Sequence, residues 1–387
     1  MFAAILIGIA IYHRYAFAIS VGGVGAIALY KVLFTGFKTG AGFAGLATHF
    51  GHEAVLLANL LLLLTGFAIL ARHFEESQIP FVMPNLLPDN WTGGLALLAL
   101  VFVMSAFLDN IAAAIIGGTV ARSVFQRRVH IGYLAAIVAA SNAGGSGSVV
   151  GDTTTTMIWI SGVSPLAVLE AYIAAAVAFV VFAIPAARLQ HRHQPIMKDA
   201  APGLKIVPGR IAVVSAILAS AIAANVLANL YAPELLDHVP LVGLAVWATI
   251  LIAAPFYRPE WSLLPEATKG TIFLLALVAA ASMMPIDALP PASAATALTL
   301  GFVSAVFDNI PLTALAIKQG GYDWGYLAYA VGFGGSMIWF GSSAGVALTN
   351  LFPEARSVAA WLKAGWFIPL AYVAGFGAMF LVLGWSP

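Results

Sequence analysis

The sequence predicts an all-α, polytopic helical membrane protein made of two inverted-topology repeats, each with a re-entrant hairpin and a discontinuous helix. Three observations carry that prediction. The chain of 387 residues is 61% hydrophobic and only 9% charged, against about 25% charged residues in a soluble domain. Apolar runs near twenty residues recur, at 54–70, 167–187, 211–230, 241–256 and 367–383, the length that carries a helix across roughly 30 Å of hydrocarbon. Two pairs of stretches also repeat. "SAFLDNIAAA" at 105–114 returns as "SAVFDNIPLT" at 304–313, 199 residues on, and "GGSGSVVGDT" at 144–153 returns as "GGSMIWFGSS" at 334–343, 190 residues on. Helices are the economical spanning structure because they satisfy their own backbone in lipid. A strand barrel would need alternation over roughly 10-residue segments, which the sequence lacks.

The elements follow in order. Apolar segments near 2–12, 16–35, 53–72, 131–162 (interrupted) and 165–188 read as helices of the first half, with 2–12 short for a span. The stretch "MFAAILIGIAIYHRY" lacks a basic n-region and is not expected to be a cleaved signal. The second half offers 210–231, 239–256, 269–286, 326–351 (interrupted) and 363–384. Between the third and fourth spans of each half lies a segment broken at Asp–Asn, 93–122 and 292–318. Each arm is too short to cross alone, so each segment is expected to enter and leave on the same side. The polar stretch 188–210 holds three prolines and reads as a linker. The expected division is a first repeat at 1–190, a linker at 191–208 and a second, inverted repeat at 209–387.

Charge sorting supports this topology. With the 188–210 loop cytoplasmic, 14 of the 17 basic residues fall inside and only Lys31, Lys38 and Lys318 outside, as the positive-inside rule requires. The expected location is a plasma (inner) membrane, multi-pass. A net charge of +1 gives no reason to expect a nucleic-acid partner. The absence of cysteine excludes disulfides and thiolate metal sites.

The chemistry gathers at the breaks. Asp109, Asp308 and Asp152 are carboxylates at membrane depth, where an ionisable group suggests an ion path or proton relay. Asp and Asn are also favoured helix caps, so a capping role competes at each. Glycines let the backbone leave the helix, and hydroxyls and freed carbonyls then offer oxygen ligands suited to a hard cation. Asn110, Asn309, Asn142, Thr153, Ser146, Ser336, Ser342 and Ser343 are the polar residues placed beside these carboxylates. No Lys or Arg is expected at the same depth, which suits exchange of a proton for a bound cation. Two half-helix N-termini aimed at one point would instead suit an anion. The "HFGHE" motif at 49–53 offers two histidines and a glutamate and reads as a polar edge, not a metal site. His191, His193 and His238 are expected in loops. "GGSG" at 144–147 matches the serine motif of rhomboid intramembrane proteases, but such a serine needs a histidine base. Presenilin-type proteases need Gly-x-Gly-Asp, whereas 149–152 read Val-Val-Gly-Asp. Trp324, Trp361, Trp366 and Trp385 are expected as interfacial anchors.

The stretches "SNAGGSGSVVGDTTTTMIW" (141–159) and "DNIPLTALAIKQGGYDWGYLAYAVGFGGSMIWFGSSAGVALTN" (308–350) resemble the signatures of NhaD-type sodium/proton antiporters. Those belong to the ion transporter superfamily, with the arsenite permease, citrate and divalent-anion/sodium symporter families. The resemblance covers most of 50–186 and 290–384. It implies opposed hairpins around a mid-membrane site, with no cofactor beyond sodium and/or protons as coupling ions. Asp109, Asn110, Asp152, Thr153, Asp308 and Asn309 match the family's polar positions, with sodium expected at Asp109, Asn110, Asp308 and Asn309. A homodimer is compatible with it. Residues 112–114 are Ala-Ala-Ala where the family tends to carry threonines. The expected function is a secondary active cation/proton antiporter. The alternatives are a sodium- or proton-coupled carrier of a small carboxylate such as citrate, then arsenite-type efflux, then an intramembrane hydrolase.

Overall fold

The computed structural model describes residues 1–387 except 12–14, 39, 83–86, 150, 198–204, 237, 285–288 and 308. Regular structure among the described residues is helical, apart from an isolated bridge between Phe37 and Gly40. The first helices are α1 (Phe2–Ile11), α2 (Ala16–Tyr30), which runs into a π-helical turn at Lys31–Thr35, α3 (Gly42–Glu76) and α4 (Ile79–Val82). The first Asp–Asn segment forms α5 (Trp91–Ser105) and α6 (Asn110–Val124). The first interrupted helix forms α7 (Ile131–Ser146) and α8 (Thr153–Ile160), followed by α9 (Pro165–Leu169) and α10 (Ala171–His193). Next come α11 (Pro208–Tyr231), α12 (Pro233–Leu236), α13 (Leu241–Ala253) and α14 (Leu264–Ser282). The second Asp–Asn segment forms α15 (Ala294–Ser304) and α16 (Asn309–Gln319), and the second interrupted helix α17 (Trp324–Gly334) and α18 (Ser343–Leu351). The chain closes with α19 (Val358–Ala364) and α20 (Phe367–Leu383).

Among the described residues, five helices are long and apolar enough to cross a membrane, or six if the bent pair α19–α20 is one span. The chain is a multi-pass membrane protein. Four details differ from the sequence-based expectation. The helix expected at 53–72 is α3, 35 residues long, because Gly45 lets its first turn close onto the Gly40 carbonyl where no Cβ would fit. The helix expected at 239–256 is the 13-residue α13, since Pro255 has no N–H with which to continue the backbone ladder. The last span bends by 60° between α19 and α20, because Pro369 supplies no N–H and clashes with the carbonyl four residues back. Finally, α10 continues through His193, so His191 and His193 belong to a helix and not to a loop.

Two compact units emerge, and each draws on both halves of the sequence. The first comprises 1–73, 209–289 and 314–319, and the second 74–208, 290–313 and 320–387. In the first unit, α3 and α13 approach closely at Gly66, where a Cβ would press on Val246. The Asn59 Oδ1 accepts from the Gly243 N–H at 2.7 Å, and the Trp247 indole donates to the Leu62 carbonyl at 2.8 Å. Arg72 pairs with Glu260 at 2.5 Å.

In the second unit, α7 and α17 form the centre. Every residue of α7 from Gly132 to Ser146 and of α17 from Gly325 to Gly334 is buried. Small residues permit this. A Cβ on Gly144 would strike the Phe102 carbonyl of α5, and one on Gly334 the Gly301 carbonyl of α15. The same bond locks each pair, with Ser105 Oγ donating to the Ser141 carbonyl at 2.5 Å and Ser304 Oγ to the Val331 carbonyl at 2.7 Å. Trp361, expected at an interface, is buried and donates to the Ser336 carbonyl at 3.3 Å.

Candidate functional site

The helix breaks of the second unit bring most of the sequence-singled polar residues together. After α7 ends at Ser146, the chain restarts as a helix at α8. Asp152 is the N-cap, its Oδ1 accepting from the Thr154 N–H at 3.0 Å. The break is compact because Gly145 and Gly151 come close enough that a Cβ on Gly145 would lie 2.7 Å from the Gly151 carbonyl oxygen. The second break is built the same way. A Cβ on Gly335 would lie 2.7 Å from the Gly341 oxygen, and Ser342 caps α18 by accepting from the Gly345 N–H at 3.3 Å.

The other oxygen of Asp152 is the hub of a buried amide network. Asn110, first residue of α6, donates from Nδ2 to Asp152 Oδ2 at 3.3 Å and to Asn142 Oδ1 at 3.1 Å. Asn309, first residue of α16, donates to the same Asp152 Oδ2 at 3.5 Å. Asn142 on α7 donates onward to Ser336 Oγ at 2.9 Å and Ser342 Oγ at 3.1 Å. Asn110, Asn142, Asp152, Asn309, Ser336 and Ser342 are all buried. Both Asp–Asn segments and both interrupted helices therefore supply groups to one network. The named donors to Asp152 are neutral amides, which stabilise the carboxylate by hydrogen bonding and bring no positive charge of their own.

Asp109 is the N-cap residue of α6 but makes no side-chain capping bond, and it lies within electrostatic range of Asp152. Asp308 lies outside the described residues. Ser146 is buried and donates to the Ala143 carbonyl at 2.8 Å, within its own helix. Thr153 is buried at the first position of α8 and Ser343 opens α18. The hydroxyls of Thr155 and Thr156 turn back to backbone carbonyls, including that of Asp152 at 2.8 and 2.9 Å. The sequence reading missed Gly332, where a Cβ would sit 3.6 Å from Asp152 Oδ2. Its signal was the repeat itself, since Gly332 is the counterpart of Asn142 at the 190-residue offset.

No protein-family model matches the chain. It is 28% identical over 327 residues to sodium/proton antiporter 1 of Arabidopsis thaliana, an alignment covering 73% of this chain and 54% of that protein. It is 27% identical over 317 residues to sodium/proton antiporter 2 of the same plant, covering 68% of this chain and 72% of that protein. The chain thus spans about half the length of the first of these relatives.

Proposed function

We propose that the chain is a secondary active transporter exchanging sodium for protons, of the same kind as the two plant antiporters it resembles. The observation that carries this reading is Asp152, a buried carboxylate whose named donors from both Asp–Asn segments and the α8 backbone are all neutral. A buried carboxylate can take up a sodium ion or a proton but not both at once, the exclusive choice that exchange requires. Asp109, within electrostatic range, and Asp308, at the matching position of the second repeat, are the partners that would share the ion. Asn110, Asn309, Asn142, Thr153, Ser146, Ser336, Ser342 and Ser343 are the supporting oxygens, by geometry where they join the network and otherwise by position.

Alternating access follows from two repeats of opposite orientation, the hairpin at 93–122 opening to the cytoplasm and that at 292–318 to the outside. The 188–210 loop is cytoplasmic in this reading, the membrane is the plasma (inner) membrane, and a homodimer is the assembly to test. A carrier of a small carboxylate is the second reading, favoured by the α8 and α18 N-termini at the network. Asp152 turning toward those amides weighs against it, because a carboxylate there repels an anion. The hydrolase reading loses support because the Ser146 hydroxyl is spent on its own helix.

The test is proton flux in sealed proteoliposomes holding a pH-sensitive dye, challenged with sodium, lithium, potassium and citrate in turn. Sodium- or lithium-driven flux that disappears in Asp308→Asn and Asp109→Asn supports the exchange. Flux driven by citrate alone overturns it.

A further inference from the structure

The three lysines that charge sorting sets apart from the other basic residues, Lys31, Lys38 and Lys318, all line one cavity of about 920 Å³ within the first unit. His49 and His52 line it too, and Glu53 is the only carboxylate among its described lining residues. The backbone is shaped for this. Lys31 opens the π-helical turn, closed by the Gly36 N–H on the Lys31 carbonyl at 2.7 Å, and π-turns concentrate at functional sites. Gly36, at φ +70°, then reverses the chain toward Phe37 and Lys38.

The cations are held in place but undercompensated. Lys31 Nζ donates to the Met283 carbonyl at 2.9 Å and sits 5.3 Å from the Phe37 ring centroid. Lys318 pairs with Glu53. His49 Nε2 shares a hydrogen bond with Ser282 Oγ at 2.9 Å. Lys38 is exposed at the rim. Three ammonium groups thus face one carboxylate, already engaged, beside the buried apolar side chains of Phe2, Ile27 and Met283. Gathering like charge next to apolar surface is costly. The volume falls in the range of small-molecule sites.

We propose that this cavity binds an amphiphilic oxyanion, its phosphate or carboxylate head held by Lys31, Lys38 and Lys318 and its tail against Phe2, Ile27 and Met283. The site is separate from the Asp152 network and does not rest on the antiporter reading. Its ligand comes either from the bilayer, as an anionic lipid, or from solution, as a free oxyanion.

The experiment uses the full chain in phosphatidylcholine nanodiscs titrated with dioleoyl phosphatidic acid, bound lipid being counted by native mass spectrometry, with inorganic phosphate as competitor. One saturable copy is expected on the unmodified protein. Binding should weaken about tenfold in Lys38→Gln and at least as much in Lys31→Gln/Lys318→Gln, the scale of one lost charge-assisted contact. The control pair Arg192→Gln/Lys363→Gln, neither of which lines the cavity, should leave it unchanged. Displacement by phosphate supports the site with a free oxyanion as the source, and failure of phosphate to displace supports it with the lipid as the source. Equal binding in the unmodified protein and the lysine variants overturns the proposal, as does an equal loss in the control pair. Should the double variant fold poorly, Lys38→Gln decides alone, because its side chain is exposed.

Discussion

The two interrupted helices solve the same mechanical problem and differ in charge. Each packs against its Asp–Asn segment through a glycine on a carbonyl and a serine-to-carbonyl bond, and each closes its break with a close Gly–Gly approach. Each restarts on a capped helix. In the first the cap is Asp152, and in the second, at the equivalent place, it is Ser342. Where the first carries Asn142, the second carries Gly332. A serine therefore suffices to cap a half-helix in this setting, so the negative charge at 152 exceeds what capping needs. Burying that charge is expensive, which is the physical reason for giving it to the cation in the proposed exchange.

Making the first break resemble the second breaks the comparison most severely. In Asp152→Ser the α8 cap should survive, with thermal stability changed by about 1 kcal/mol or less, while sodium-driven proton flux in proteoliposomes falls about 100-fold, as for loss of a principal metal ligand or its support. Flux near the unmodified level would mean that the carboxylate only caps. Asn142→Gly copies Gly332 and deprives Asn110, Ser336 and Ser342 of a shared partner. Sodium activation should need roughly tenfold more ion, the scale of outer-shell losses. An unaltered sodium dependence would show that the amide belongs to packing alone.

How far this asymmetry could be read beforehand depends on the residue. Asn110 and Asn309 stood out because an amide next to an aspartate in apolar sequence is rare and occurs twice at one offset, and both reach Asp152. That Asp152, and not Asp109, is the hub was not legible. The choice depends on which of two helix caps, at 109 or at 152, meets the asparagines, and no local pattern encodes that. The bend at Pro369 and the end of α13 before Pro255 carried clear signals that an apolar-run reading overrode. The length of α3 carried none, since Gly42, Gly45 and Gly51 each disfavour a helix by about 1 kcal/mol relative to Ala until the contact at Gly40 is known. The lysine-lined cavity was half legible: charge sorting isolated its three lysines, but their meeting at one place is a tertiary fact.

The shared mechanics predict equal costs where the asymmetry predicts unequal ones. Ser105→Ala and Ser304→Ala each remove one buried hydroxyl-to-carbonyl bond of the same kind. Each should lower stability by about 1 kcal/mol, read by denaturant unfolding in detergent, and the two should agree to within roughly 0.5 kcal/mol. A large difference would mean that one interrupted helix is held mainly by other contacts.

The smallest effect lies at the helix starts. Helix α7 is capped by His130, whose Nδ1 accepts from the Gly132 N–H at 3.1 Å, whereas α17 is capped by the carboxylate of Asp323, accepting from Tyr326 at 3.5 Å. Burial, with a lesser push from His193, lowers the His130 pKa below its ordinary 6.5. The fold thus favours the neutral ring, whose Nδ1 lone pair the cap requires. Because the folded value is the lower one, the stabilisation is fully present above about pH 6.5 and is lost as pH falls through the folded value. Acidification should therefore loosen the first turn of α7 by about 0.5 kcal/mol, measured as faster amide exchange at residues 131–134, with residues 324–327 of α17 as the internal reference. In His130→Asn, which caps without titrating, the difference between the two helix starts should no longer vary with pH. If it persists in that variant, the pH sensitivity arises elsewhere than in the cap.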